Sequence, residues 1–150
     1  MDDVTDDVVA GDVVADVAFV ALGSNVGDRR KHLSDALNRI GAIPGVVILA
    51  ASRVEETEPI GPVAQGPYLN QMVALRTSLS PPRLLAALNE AEREGGRVRT
   101  VRWGPRTIDL DIVRYAHTTW SSPELQVPHR ELDNRDFWQR ELAELAEVAI

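Results

Sequence analysis

The sequence predicts an α+β fold in which helices pack on an antiparallel sheet, and three observations support this prediction. Four short apolar runs are bounded by Gly, Pro or Asn, as strands usually are. Two segments between these runs repeat apolar residues at helical spacing. The resulting order, βαββαβ, is typical of the ferredoxin-like split βαβ unit, which has helices on one face of its sheet, and a further helix is predicted near the C-terminus.

The first strand and helix are predicted over residues 17–41. Residues 17–22 form an apolar run that ends at Gly23, Ser24 and Asn25. This triplet lacks the Gly-Lys-Ser/Thr of a phosphate loop, so it is interpreted as a turn before a helix. The helix has an apolar stripe at helical spacing and stops near Gly41. The stripe consists of Leu33, Ala36, Leu37 and Ile40.

Two strands are predicted next, over residues 46–54 and 68–77. The segment between them, residues 58–67, contains three Pro and two Gly and is predicted to be a loop. A second helix is predicted to begin after Ser80, with Pro in its first turn, and to end at Gly95. Its apolar stripe consists of Leu84, Leu85, Leu88 and Ala91.

The C-terminal part of the chain completes the pattern with a fourth strand, predicted over residues 107–115. A polar connection leads from this strand to a last helix, predicted over residues 135–147. The apolar face of that helix is predicted from the helical spacing of Phe137, Leu142, Leu145 and Ala146.

The negative charge of the chain is concentrated at its N-terminus. Six Asp and no basic residue lie in residues 1–16, whereas the remaining residues hold 17 acidic and 16 basic side chains. Because like charges repel and chain ends are rarely held, we expect residues 1–16 to be a disordered tail before a single domain over residues 17–150. The alternative is an additional edge strand through Val13 and Val14.

Composition excludes several classes of function. The chain has no Cys, so it has no disulfide framework, no thiolate metal site and no thiol nucleophile. The nearly neutral charge after residue 16 argues against general nucleic-acid binding, for which a basic excess is usual. No apolar run approaches the roughly 18 residues that a membrane helix needs, and the N-terminus carries Asp where a secretory signal carries Lys or Arg. We therefore expect a cytoplasmic protein.

Two aspartates in the fourth predicted strand indicate a metal site. Alternate side chains of a strand point to opposite faces, so Asp109 and Asp111 share one face, opposite to Ile108, Leu110 and Ile112. Residues at this spacing have Cα atoms about 6.6–6.8 Å apart, which lets two carboxylates share hard cations. Paired metal ions are a common device for phosphoryl transfer. The alternative is that both aspartates lie on a solvated face of the sheet.

An arginine-rich segment precedes this strand. Residues 96–106 contain Arg97, Arg99, Arg102 and Arg106, framed by glycines and a proline. The planar guanidinium of Arg suits bidentate phosphate contacts, so such a segment could close over a polyphosphate and exclude water. The alternative is a solvated loop that pairs with acidic residues of the preceding helix. For Trp103, within the segment, both stacking on a flat ring and packing in the core stay open.

Together these motifs resemble the 6-hydroxymethyl-7,8-dihydropterin pyrophosphokinases of folate synthesis, over residues 17–146. The most specific block is G-R-V-R-T-V-R-W-G-P-R-T-I-D-L-D-I at residues 96–112. The other matching stretches are A-L-G-S-N-V-G-D at 21–28, Thr57 with P-I-G-P at 59–62, Y-L-N at 68–70, V-P-H at 127–129 and N-R-D-F at 134–137.

The resemblance implies an ATP-dependent transfer of pyrophosphate to the hydroxymethyl group of the pterin, with release of AMP. It implies that Asp109 and Asp111 hold two Mg²⁺ ions, and that Arg97 and Arg106 stabilise the charge on the transferred group. The implied ATP contacts are Arg99, Trp103, Ile112, His129, Arg130 and Arg135. The implied pterin contacts are Thr57, Ile60, Tyr68, Asn70, Trp103 and Phe137. The expected partners are these two small molecules, without nucleic acid or membrane, and the chain is expected to be a monomer.

Some residues depart from the family pattern. Arg130 replaces a residue that is usually uncharged, and beside phosphates an Arg would help. Gln139 and Glu141 are polar residues in a last helix that is more apolar in the family.

Three other functions compete with this interpretation. Nucleotidyl transfer on a palm-like sheet also uses two strand carboxylates, but it needs a third carboxylate and releases pyrophosphate instead of AMP. A ferredoxin-like RNA-binding module exposes paired aromatic residues on its central strands, and the two Phe and two Tyr form no such pair. A degenerate relative would bind pterin or ATP without turnover, although the presence of both aspartates and of Arg97 and Arg106 argues against it.

Overall fold

The computed structural model describes residues 12–59, 61, 65–96 and 107–146. Within these residues the strands are β1 (Asp12–Ser24), β2 (Val46–Ala51), β3 (Glu55–Thr57), β4 (Tyr68–Leu79), β5 (Asp109–Tyr115), β6 (Trp120–Ser121) and β7 (Gln126–Val127). The helices are α1 (Arg29–Gly41), α2 (Pro81–Glu94) and α3 (Asp136–Leu145), and a 3-10 turn, Leu132–Asn134, precedes α3. Among the helices in these ranges, none has the length and apolar character that would let it cross a bilayer.

The main sheet has the strand order β2-β4-β1-β5, and all neighbouring strands are antiparallel. β3 pairs with the start of β4, while β6 and β7 form a separate ribbon. α1 connects β1 to β2 across β4, and α2 connects β4 to β5 across β1. Each helix therefore joins two strands that have one strand between them, which confirms the predicted α+β fold.

The two faces of the sheet belong to two separate cores. α1 and α2 cover one face, where Ile40 and Leu88 pack with Leu22, Leu75 and Ile112 of the sheet. α3 covers the other face, so the C-terminal helix makes the sheet buried on both sides. The buried residues of this second core are Phe19, Ala21, Met72, Ala74, Val113, Trp138 and Leu145.

The register of β5 decides which way its aspartates point. Leu110 and Ile112 belong to the core under α1 and α2, so Asp109 and Asp111 project from the α3 face, as the alternation predicts. The ladder with β1 then gains one extra residue at Val113, and this bulge redirects the rest of the strand. Both aspartates thus lie on the face that α3 partly covers.

The structure corrects the predicted start of the domain. β1 begins at Asp12, so residues 12–16 belong to this strand and not to a disordered tail. They pair with β4, and the pairing of β1 with β5 starts at Ala18. Asp16 is buried in this segment, and its carboxylate accepts four hydrogen bonds. The donors are Val17 N (2.7 Å), Thr118 Oγ1 (2.7 Å), His117 N (3.0 Å) and His117 Nδ1 (3.1 Å). Residues 1–11 lie outside the described residues.

Two other predicted elements differ in detail. The strand predicted over residues 46–54 ends at Ala51 as β2, and a separate strand, β3, follows it at Glu55–Thr57. Ser52, just after β2, bonds to Met72 through its main chain and its hydroxyl. In α3 the fully buried side chains are Trp138, Glu141 and Leu145. The predicted apolar face of this helix is displaced by about one residue from the buried face. Of its members besides Leu145, Phe137 and Leu142 are half-buried and Ala146 is exposed.

Candidate active site

A cleft between the sheet and the start of α3 brings together most of the predicted site residues that the structure describes. β1 forms its floor, β3 and β4 form one side, β5 forms the other side, and α3 with the residue before it forms the roof. The lining residues are Ala21, Leu22, Gly23, Thr57, Glu58, Tyr68, Asn70, Asp109, Asp111, Arg135, Phe137 and Trp138.

The predicted pterin contacts lie on two walls of this cleft. Tyr68 and Asn70 are on β4, Thr57 is opposite Tyr68 on β3, and Phe137 is on α3. Asn70 Nδ2 donates a hydrogen bond to Thr57 Oγ1 at 2.5 Å, so the amide and the hydroxyl are fixed relative to each other. Aromatic surfaces on the sheet and on the helix, with polar groups beside them, suit a flat ring that has a polar edge.

The floor of the cleft depends on a glycine that the sequence analysis interpreted only as part of a turn. Gly23 lies between Asn70 of β4 and Asp109 of β5 in the cross-strand register. A Cβ there would be 3.4 Å from both Asn70 Oδ1 and a Tyr68 ring carbon. Glycine inside a strand often marks a place where a ligand approaches closely, and that signal could have identified Gly23 from the sequence.

Gly23→Ala is expected to raise the KM for a substrate bound on this floor about tenfold, because overpacking by a methyl group costs roughly 1–3 kcal/mol. Its thermal stability should be equal or slightly higher, since Ala is favoured over Gly in strands by roughly 0.5–1 kcal/mol. Steady-state kinetics and thermal unfolding measure the two effects. Gly41→Ala is the matched control, because its Cβ would meet only the Ile48 side chain, at 3.3 Å. An unchanged KM in Gly23→Ala would mean that the ligand does not lie on this floor.

Behind the two aspartates, a buried carboxylate holds their strand. Glu92, near the end of α2, is 6% exposed, and its Oε2 accepts a hydrogen bond from Leu110 N at 2.7 Å. Leu110 lies between Asp109 and Asp111, so Glu92 fixes the backbone from which both carboxylates project.

The oxygen ligands on β5 fit Mg²⁺. Asp109 and Asp111 project from one face of a strand into a single cleft. Mg²⁺ prefers oxygen ligands and is commonly held by one or two carboxylates together with phosphate oxygens and water. Within the described ranges there is no group of three or more His, Cys, Asp or Glu placed to hold a metal; two carboxylates beside a phosphate substrate are a set that this ion accepts.

A second cleft lies beside the first, at the edge of β5. It contains three of the predicted ATP contacts, Ile112, His129 and Arg130, and it also contains Asp111. The other lining residues are Leu85, Leu110, Glu124, Leu125 and Gln126. Asp111 therefore lines both clefts.

A buried tryptophan, absent from the predicted site, organises the cationic roof. Trp138 is 2% exposed; the guanidinium carbon of Arg135 lies 4.5 Å from its ring centroid, and the His129 ring meets it edge-on at 4.9 Å. Nε of Arg135 is buried without a hydrogen-bond partner among the described residues. Arg135 thus places a cation beside the first cleft.

The state of His129 follows from its surroundings. Its Nδ1 accepts a hydrogen bond from Glu131 N at 3.0 Å, which leaves the proton of the neutral ring on Nε2. Burial lowers the pKa of His129, and the positive charges of Arg135 and Arg130 act in the same direction, partly offset by nearby carboxylates. His129 is therefore a neutral donor beside the second cleft.

Asn25, directly after β1, and Arg29, at the start of α1, brace the loop that leads into β4. Asn25 Nδ2 donates to Gln65 Oε1 at 2.6 Å and to Gly66 O at 3.2 Å, and Arg29 Nη1 donates to Pro67 O at 2.9 Å. These bonds hold the chain just before Tyr68. The remaining predicted site residues, Ile60, Arg97, Arg99, Trp103 and Arg106, lie outside the described residues.

Comparison with known proteins identifies the family. The family model described as 7,8-dihydro-6-hydroxymethylpterin-pyrophosphokinase (HPPK) matches residues 19–147. The chain belongs to this family. Its membership confirms the predicted function, which is pyrophosphoryl transfer to a hydroxymethyl dihydropterin in folate synthesis.

Relatives with the same family name match most of the chain. The 2-amino-4-hydroxy-6-hydroxymethyldihydropteridine pyrophosphokinase of Pseudomonas aeruginosa is 41% identical over 128 residues, which are 85% of this chain and 79% of that protein. The protein of the same name from Bacillus subtilis is 40% identical over 131 residues, covering 87% and 78%.

Solved structures support the fold of this HPPK-family chain. The crystal structure of wild-type Plasmodium falciparum HPPK-DHPS with pterin and p-hydroxybenzoate matches with a TM-score of 0.68 at 12% identity. The match covers 91% of this chain, but the chain spans only 40% of that longer protein.

Proposed function

We propose that the pyrophosphate donor is ATP, that Mg²⁺ accompanies it, and that AMP is the product released. The hydroxymethyl oxygen of 6-hydroxymethyl-7,8-dihydropterin forms a bond to the β-phosphorus of ATP. The bond from that phosphorus to the oxygen shared with the α-phosphate breaks, so the pyrophosphate moves as a unit. The hydroxyl proton is lost, and AMP leaves with the electron pair of the broken bond.

The position of Asp111 carries this proposal. It faces one cleft whose walls suit a flat ring and a second cleft lined by Ile112, His129 and Arg130. A pterin in the first cleft and a nucleotide in the second would place the hydroxymethyl group and the phosphates on either side of this carboxylate. Holding two reactants in this way converts their reaction into an effectively unimolecular step.

Each wall has a distinct role in this proposal. Tyr68 and Phe137 would enclose the pterin ring, while Asn70 and Thr57 read its polar edge. In the second cleft, His129 Nε2 and the guanidinium of Arg130 would donate to the nucleotide. Arg135, which lines the first cleft, and Arg99, which lies outside the described residues, would also contact it. Arg97 and Arg106 would stabilise the charge that develops on the transferred group, and Trp103 would cover the ligands.

Asp109 and Asp111 would hold two Mg²⁺ ions, which would neutralise phosphate charge. The protein's own contribution is the fixed backbone between these carboxylates, secured by the hydrogen bond from Leu110 N to Glu92. We also propose that the chain acts as a monomer in the cytoplasm.

The competing functions differ in observable ways. The sheet face that an RNA-binding module of this fold would expose is covered by α3, which buries Phe19 of β1. The products distinguish the other two functions from the proposal: nucleotidyl transfer releases pyrophosphate instead of AMP, and binding without turnover releases neither.

The test is to incubate the protein with ATP and Mg²⁺, with and without the pterin, and to separate the nucleotides by chromatography. AMP that forms only with the pterin, in amounts equal to pterin pyrophosphate, is the expected result. ADP would indicate transfer of a single phosphate, and free pyrophosphate with nucleotide attached to the pterin would indicate nucleotidyl transfer. Absence of any product from folded protein would leave binding without turnover. Sedimentation velocity measures the oligomeric state, and a monomer is the expected result.

A further inference from the structure

The most unusual buried group of the described residues is the carboxyl of Glu141. The residue is 2% exposed and lies on the buried face of α3, between Trp138 and Leu145. Both of its oxygens are buried and neither has a hydrogen-bond donor among the described residues. An ionised carboxylate in such a place is strongly unfavourable. A proton on this carboxyl group would remove that cost.

The neighbour that Glu141 faces is another carboxyl, that of Glu55 on β3. Glu55 is partly exposed and accepts a hydrogen bond from Arg140 Nη2 at 3.0 Å. Arg53 adds a second positive charge nearby, and the pKa of Glu55 is lowered, first by the hydrogen bond from Glu141 and then by these two arginines, against burial. Glu55 is thus the ionised member of the pair. Two carboxyl groups can hydrogen-bond only when one of them carries a proton.

We propose that Glu141 is a protonated carboxylic acid at neutral pH, and that its hydrogen bond to the Glu55 carboxylate is a positioning contact that holds α3 against β3 at the pterin cleft. A single proton explains why two acidic side chains meet in a buried place. The proposal also gives a role to Glu141, which departs from the apolar pattern of the family in this helix.

The contact lies where the two walls of the cleft meet. Glu141 is one helical turn after Phe137, and Glu55 is two residues before Thr57 on β3. A second tie lies one turn further along α3, where Glu144 Oε2 accepts a hydrogen bond from Arg53 N at 2.9 Å. The distance between Phe137 and the sheet wall therefore depends on the Glu55–Glu141 bond more directly than on the Glu144 bond.

The pH dependence of stability follows from the protonation of Glu141 and from the charged groups around it. These groups are Glu55, Arg53, Arg140 and Glu144. Burial, together with Glu55, raises the pKa of Glu141 from 4.5 to about 9. Between these values the folded protein binds a proton that the unfolded chain releases, so stability falls as pH rises through this window. Above about pH 9 both carboxyls would be charged, and α3 would be pushed away from β3.

Infrared difference spectroscopy tests the proton directly, because a carboxylic acid and a carboxylate absorb at different frequencies. On raising the pH from 7 to 10.5, the wild-type protein is expected to lose one carboxylic acid band with a midpoint near 9. Glu141→Gln should lack this change, whereas Glu144→Gln, on the same helix, should keep it. A wild-type spectrum without the band, or with the band still present in Glu141→Gln, would overturn the proposal.

Kinetics test the positioning role, which rests on the proposed function. One pH unit above its pKa about a tenth of Glu141 stays protonated, so the KM for the pterin should rise up to about tenfold at pH 10 relative to pH 7. The KM for ATP should show no matching change. Glu141→Gln still donates to Glu55 and should hold the pterin KM constant, whereas Glu141→Leu should raise it at every pH. The same pterin KM profile in wild type and Glu141→Gln would contradict the positioning role.

The two sets of measurements keep the proposals separate. Infrared spectra and the pH slope of thermal unfolding need no enzymatic turnover. If no AMP forms from ATP and pterin, the proposed function fails while the protonated bridge can still be observed. If AMP forms but the acid band is absent, the bridge fails and the proposed function stands.

Discussion

Replacing Asp111 with Asn is expected to lower kcat about a thousandfold or more while the fold stays intact. Asn removes the negative charge and the proposed metal ligand, but it keeps the size of the side chain. A metal ion stabilises transition-state charge by several kcal/mol, and each 1.36 kcal/mol changes a rate tenfold. A loss of about 4 kcal/mol therefore corresponds to about three orders of magnitude. Asp111 is a partly buried cleft residue on the α3 face of β5, so the core under α1 and α2 should not change.

The measurement is AMP formation at saturating ATP and pterin over a range of Mg²⁺ concentrations, together with thermal unfolding. Asp133→Asn is the matched control, because Asp133 is an exposed aspartate in the 3-10 turn before α3. Asp111→Asn should differ from this control in kcat and in its Mg²⁺ requirement, with a similar melting temperature. Turnover close to that of Asp133→Asn would contradict the assignment of Asp111 as a metal ligand.

The α+β fold could be predicted because its local signals agree with its tertiary structure. In β1, β4 and β5 the residues that the fold buries are apolar, either in alternation with polar residues or in a continuous run. Gly95 follows the last residue of α2, as predicted. The pair Asp109 and Asp111 was identified by the same alternation, because a two-residue spacing in a strand fixes a shared face whatever the surroundings. These predictions depend on periodicity, which is local information.

The residues that were missed depend on tertiary contacts. Asp16 belongs to a strand instead of an acidic tail because Val17, His117 and Thr118 satisfy its carboxylate. The segment that supplies the last two donors is about a hundred residues away in the chain. Gly23 looks like a turn residue until the positions of Asn70 and Asp109 on either side show that its missing side chain opens the cleft.

The buried face of α3 shows a conflict between apolar spacing and tertiary packing. Helical spacing of apolar residues selected Phe137 and Leu142 and left out the neighbouring stripe, which contains Trp138 and Glu141. In the fold that stripe is the buried one, and the partly buried Phe137 is left for the cleft. A charged residue type can lie on the buried face of a helix when its environment changes its protonation. Because Trp138 and Glu141 face the sheet, the ring of Phe137 lines the cleft.

Trp138→Ala is expected to lower the free energy of unfolding by about 3–5 kcal/mol, the usual cost of removing a large buried aromatic side chain. For a chain of this length that corresponds to a melting temperature lower by about 6–20 °C. The structural reason is that Trp138, 2% exposed, packs α3 onto the sheet with Phe19, Met72 and Val113. Trp120→Ala is the matched control, since Trp120 is 40% exposed on β6, and its effect should stay within about 0.5 kcal/mol.

The same substitution separates packing from catalysis when it is measured well below the melting temperature. Arg135 and His129 both contact the Trp138 ring, so the folded fraction of Trp138→Ala should show a raised KM for ATP, whereas Trp138→Phe should recover most of it by restoring an aromatic surface. A destabilised variant with an unchanged KM for ATP would mean that Arg135 and His129 hold their positions without the ring. The main chain before α3 would then position Arg135 and His129, and Trp138 would contribute only to the packing of the core.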